Sequence, residues 1–139
     1  MTPEYDIAIL LATRGRTESL GRSIRSMVEN AAAVDRIQFM FGFDRDDTIG
    51  LNYFTNELQP WLDEQAVAYT AMQFERQGYH RLNVYNNRMA EHTDASWLMI
   101  WNDDAVMETQ GWDTEIMRYK GQFKLLAVHT HRDHPYSIF

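Results

Sequence analysis

The apolar positions of this chain follow two rhythms that take turns. Short apolar runs at residues 6–12, 37–43 and 96–101, and a partly alternating one at 67–74, have the length and composition of strands. Between them apolar residues recur every three or four positions, as on one face of a helix. Leu20, Ile24, Met27, Val28 and Ala31 form one such set, Leu51, Phe54, Leu58 and Leu62 a second, and Leu82, Tyr85 and Met89 a third. Continuously apolar strands are those buried on both faces, so the pattern predicts an α/β fold, a mostly parallel sheet with flanking helices. Thr17 is the expected N-cap of the first helix, and Pro60 is expected to break or restart the second near Trp61. A short helix carrying Trp112, Ile116 and Tyr119 and a fifth strand at residues 123–128 complete the pattern.

The ends of the strands carry the polar chemistry. The run 96–101 drives straight into Asn102, Asp103 and Asp104, after which apolar residues resume. Asn102 suffices for a turn, whereas two adjacent carboxylates repel unless a cation or hydrogen-bond donors compensate. The carboxyl ends of strands are also where α/β sheets bind ligands. The first run ends in Thr13-Arg14-Gly15-Arg16, which lacks the glycine spacing of a dinucleotide fingerprint or a P-loop. Arg14 and Arg16 instead offer guanidinium donors beside a helix N-terminus, a place suited to an anion. The second run ends in Asp44-Arg45-Asp46-Asp47-Thr48. Asp47 or Thr48 suits a helix cap, while Asp44 comes too early for that and is the better ligand contact. Asn83, Asn86 and Asn87 are dense for a helix, because asparagine competes for backbone hydrogen bonds.

Composition narrows the classes. With 139 residues and 45% hydrophobic content, the chain is one domain with a sizeable core. It has no cysteine, which removes disulfides and thiolate metal sites. A net charge of -7 argues against general nucleic-acid binding, which draws its affinity from a basic footprint. A small anionic ligand then needs local arginines, backbone donors or a divalent cation. The N-terminus lacks the basic and apolar regions of a signal peptide, and no apolar run approaches the roughly 20 residues needed to span a bilayer. The expectation is a soluble, cytoplasmic protein.

Taken in order, these cues resemble the GT-A glycosyltransferases, nearest to family-2-like enzymes of short bacterial and phage type. The cues are Thr-Arg-x-Arg after the first strand, Asp44 after the second, a loop and helix with arginine and asparagine, and an apolar strand ending in Asp-Asp. The resemblance covers nearly the whole chain. It implies a Rossmann-like GT-A half over residues 1–139, binding a UDP- or GDP-linked sugar and lacking the C-terminal acceptor and base region. Thr13 and Arg14 would lie along the nucleotide, and Asp44 would accept hydrogen bonds from the base. Arg81, with Asn83 beside it, would approach the ribose or phosphates. Asp104, at the family's DxD position with Asn102 where the first acid often stands, would ligate Mg2+ or Mn2+, and Asp103 would contact ribose or metal.

The same resemblance leaves the general base unassigned, since Asp133 is poorly placed by order. His129, His131 and His134 stand between a late metal ligand and a polar chain end. The acceptor is unnamed, and three alternatives stay open for the missing half: a homodimer supplies it, a second polypeptide supplies it, or nothing does. Two rival readings remain: a non-catalytic nucleotide-binding or assembly module of the same fold, and a metal-dependent phosphohydrolase. The latter ordinarily puts an acid at the end of strand one, where this chain has Thr13-Arg14.

Overall fold

The computed structural model describes residues 4–127 and 137–138. Four parallel strands form the centre: β1 (Ile7–Thr13), β2 (Ile37–Asp44), β3 (Ala68–Phe74) and β4 (Trp97–Ile100). Two short strands, β5 (Leu126–Ala127) and β6 (Ser137–Ile138), extend the β4 edge antiparallel, giving the order β3-β2-β1-β4-β6-β5. The helices between the strands are α1 (Thr17–Asn30), a continuous helix made of α2 (Thr48–Tyr53), a π-helical turn (Phe54–Leu58) and α3 (Gln59–Glu64), and then α4 (Leu82–Glu91). A last helix, α5 (Trp112–Met117), follows β4. No helix among the described residues is long and apolar enough to cross a membrane.

Strand periodicity sorts the core into two layers. Ile7, Ile9 and Leu11 point to a large cluster with Phe39, Phe41, Trp97 and Met99, which α1, the second helix and α5 cover. Ala8, Leu10 and Met40 point the other way, against Tyr85 and Met89 of α4. Both faces of β1 are therefore dry, which explains why its sequence is apolar without alternation. Phe41 and Phe43 each lie 5.3 Å from the Phe54 ring, so the aromatics of β2 clamp the second helix.

Several expectations change on packing. The N-cap of α1 is Arg16, and Thr17 is the first helical residue, with no side-chain cap. Pro60 does not break the helix but stands in the first turn of α3, where the α-helical segment restarts after the π turn. The wider π turn directly before it removes the need for an amide donor at Pro60, and the helix runs on to Glu64. Leu82, expected in the core, is 37% exposed because it starts α4 at the sheet's rim, and Tyr119 lies beyond the end of α5, 38% exposed. The fifth strand is only Leu126–Ala127. Phe123 and Leu125 are exposed because no layer covers that edge among the described residues. Val128, Asp133, His129, His131 and His134 lie outside the described residues.

Candidate functional site at the sheet's switch point

The chain leaves β1 to build β2 and β3 on one side, then returns to place β4 on the other. Strand order thus reverses between β1 and β4, and the loops after these two neighbouring strands leave the sheet's carboxyl edge side by side, where open α/β sheets bind ligands. Thr13 and Asp103 meet there. The Thr13 hydroxyl donates to Asp103 Oδ2 at 2.8 Å, and both residues are buried. Burial pushes the Asp103 carboxyl above its usual range, while the Thr13 bond and Arg16 pull it back.

The turn after β1 is gripped from the β2 side. Arg14 Nη1 donates to Asp44 Oδ2 at 3.0 Å and to Asp46 Oδ1 at 2.5 Å. This pairing lowers the Asp46 carboxyl and raises the guanidinium further. Asp47 caps α2 as expected, accepting the Gly50 amide at 3.0 Å, and with its second oxygen accepts the Gly15 amide at 2.9 Å. Gly15 has φ +67°, a conformation that suits glycine and turns Arg14 and Arg16 to different sides. Arg16 reaches β4, with Nη1 3.6 Å from Asp103 Oδ1 and 3.7 Å from Asp104 Oδ2.

Asp44 is buried, and the Tyr85 hydroxyl donates to its other oxygen in a short bond while accepting the Gln77 amide at 2.8 Å. Burial, and then the bond to Asp44, raise the Tyr85 phenol above its ordinary 10.0. Tyr85 reads in sequence as a core residue of α4, and nothing in its spacing reveals the polar end. Arg81 and Asn83 follow the loop after β3 and stand exposed at the start of α4. They share the sheet's carboxyl edge with the others but are not bonded into the cluster.

The Asp103–Asp104 loop is positioned from behind by α1. Trp101 Nε1 donates to Ser23 Oγ at 2.8 Å, and the Ser23 hydroxyl donates to the Asn102 carbonyl at 3.4 Å. Ser26 Oγ accepts the Met107 amide at 2.9 Å, and Asn30 Nδ2 donates to the Met107 carbonyl at 3.0 Å. Ser23 is absent from the residues singled out in sequence, although its place between Leu20 and Met27 on an apolar face is the signal that would have found this clasp: a polar residue on a core stripe needs a partner.

Among the described residues, no group of three or more His, Asp or Glu is gathered to hold a metal. The two carboxylates nevertheless suit a hard cation. One guanidinium nitrogen lies nearly equidistant from an oxygen of each, which marks a point where positive charge satisfies both. Two carboxylates that leave the remaining positions to water and phosphate are the usual protein share of a magnesium-type site.

No protein-family model matches the sequence, and no curated protein is significantly similar to it. Solved structures are. The mannosyltransferase PcManGT from Pyrobaculum calidifontis, in complex with GDP-Man and Mn2+, superposes with a TM-score of 0.75 at 12% identity, over 100% of this chain and 46% of that one. The chain has the GT-A glycosyltransferase fold. S. aureus TarS, residues 1–349, matches at 0.68 and 8% identity over 96% of this chain and 46% of that one. Its complex with UDP-GlcNAc matches at 0.61 and 8% over 82% of this chain and 31% of that one. This GT-A chain therefore spans less than half the length of the structures it matches.

Proposed function

We propose that this chain binds a nucleoside diphosphate sugar through a divalent cation at the carboxyl edge of its sheet, and presents it for transfer to an acceptor hydroxyl. The observation that carries the reading is the Thr13–Asp103 bond at the switch point, with Arg14 and Asp44 ordered on the adjacent strand end. Structures of the same fold hold GDP-Man with Mn2+, UDP-GlcNAc and UDP, which supports a nucleoside diphosphate as the ligand class.

In this reading Asp104, with Asp103, holds Mg2+ or Mn2+, and Asp103 also faces the ribose. When bound, the ion supplies Lewis-acid stabilisation of the departing diphosphate. Thr13 and Arg14 line the nucleotide. Asp44 faces the base, held in place by Arg14 and Tyr85. Arg81 and Asn83, exposed on the same edge, approach ribose and phosphates as the donor docks. Ser23 and Trp101 fix the acidic loop against α1.

The test is a thermal-shift series with UDP, GDP and their sugars, with and without Mn2+. A nucleotide that raises Tm only with Mn2+, and an Asp104→Ala variant that loses the shift while keeping its own fold, is the expected result. No shift with any nucleotide sinks the reading. Transfer is read separately, as nucleoside diphosphate released from a donor sugar with and without added acceptors. Binding without release leaves a non-catalytic donor-binding module.

A further inference from the structure

We propose that Arg16 is the resident counter-ion of the Asp103–Asp104 pair, and the side chain that passes to the diphosphate when a cation takes those carboxylates. The inference rests on the donor-binding reading above. It starts from a division of labour within one turn. Arg14 is committed to β2, with one nitrogen on both Asp44 and Asp46 at 3.0 and 2.5 Å. Arg16, on the other side of Gly15, crosses to β4 and approaches Asp103 and Asp104 at 3.6 and 3.7 Å.

The two arginines are held differently. The Arg14 contacts are hydrogen bonds, whereas those of Arg16 exceed hydrogen-bond length and are ion pairs only. The Arg16 side chain is 62% exposed, against 39% for Arg14. Arg16 is thus the one free to move at small cost. Asp103 and Asp104 would offer a divalent ion the same oxygens that now face Arg16, and the ion's charge would repel the guanidinium beside them. The displaced Arg16 remains tethered beside the crevice. Its planar fork matches a phosphate there better than a lysine would. Arg16 therefore opposes a bare cation and favours a cation that arrives with its nucleotide.

Mn2+ binding, read from the electron paramagnetic resonance of free ion, tests this without reference to activity. The proteins are wild type, Arg16→Gln, Arg16→Lys and Asp104→Asn, each with and without saturating UDP or GDP. Without nucleotide, Arg16→Gln should bind Mn2+ about two- to tenfold more tightly than wild type, the range expected from losing two long ion pairs made by an exposed guanidinium. Arg16→Lys should stay near wild type, because it keeps the charge. With nucleotide the order should reverse, with Arg16→Gln the weaker. An Arg16→Gln protein no tighter than wild type without nucleotide overturns the counter-ion role. A tighter site with no reversal overturns the passage to the diphosphate. If wild type binds Mn2+ and Asp104→Asn does not, either failure falls on Arg16 alone. If no protein binds Mn2+ with or without nucleotide, the donor-binding reading falls and this inference with it.

Discussion

The Thr13 hydroxyl and the Asp103 carboxylate, ninety positions apart in sequence, are joined at 2.8 Å where β1 and β4 diverge. The bond supplies a neutral donor to a carboxylate that burial would otherwise disfavour. Thr13→Val, which keeps the shape and removes the donor, should cost about 1–3 kcal/mol, the usual penalty for leaving a buried acceptor unpaired. Thr13→Ser should cost less, about 1 kcal/mol for one buried methyl, since it keeps the hydroxyl. Urea denaturation measures both. Equal losses in the two variants would assign the effect to packing instead.

Tyr85 links stability to alkaline pH. Its phenol is raised above 10.0 in the folded chain by burial and by the bond to Asp44. The native state then keeps a proton that the unfolded state sheds, so this group's stabilisation is whole below pH 10 and is lost as pH rises through the raised value. Tyr85→Phe lacks the bond at every pH and should melt below wild type at pH 8. The gap should narrow above pH 10. The other tyrosines cancel, being common to both proteins. A gap of the same size at pH 8 and pH 11 rejects the linkage.

Asp47 holds two backbone amides, that of Gly15 in the turn after β1 and that of Gly50 in the first turn of α2. Asp47→Ala should destabilise by about 1–3 kcal/mol, a cap and a loop tie together. A Cβ on Gly50 would lie 2.2 Å from Asp47 Oδ2, so Gly50→Ala should also destabilise. In the Asp47→Ala background that carboxylate is gone, and Gly50→Ala should become neutral or stabilising, as alanine is the better helix former. A double-mutant cycle by denaturant titration measures the sign change. Additive losses would refute the steric account.

Asp113 ties α5 to the end of α1. Its two oxygens accept the Ala32 and Ala33 amides at 2.7 and 2.8 Å, and the residue is buried. Asp113→Ala should cost about 3 kcal/mol, and Asp113→Asn, with one acceptor oxygen left, roughly half of that. Because α5 closes the loop that carries Asp103 and Asp104, amide exchange between β4 and α5 should quicken in both. Unchanged exchange there would confine Asp113 to local helix capping.

How much was legible follows from the range of each interaction. The four parallel strands, the helices between them and a cap at Asp47 or Thr48 read directly from apolar period and turn chemistry, because those are near-neighbour effects. The meeting of Thr13, Arg14, Asp44 and Asp103 followed from one further rule, that consecutive parallel strands end on the same edge. Tyr85 is core, as its helical period implies, but the period carries no trace of the hydroxyl's partner Asp44. The exposed Phe123 and Leu125 misled for the opposite reason: an apolar run has strand character only where a neighbour covers it.

By itself, the sequence determined the α/β class, the two-sided burial of β1 and the presence of acids and arginines at strand ends. All of these are set by the order of side chains along the backbone. The tertiary structure alone decided which charge meets which. Arg14 and Arg16, two residues apart, divide between β2 and β4 because Gly15 turns the chain between them and the strand order places β1 in the middle. Pairing across a sheet depends on that placement, which local spacing does not encode.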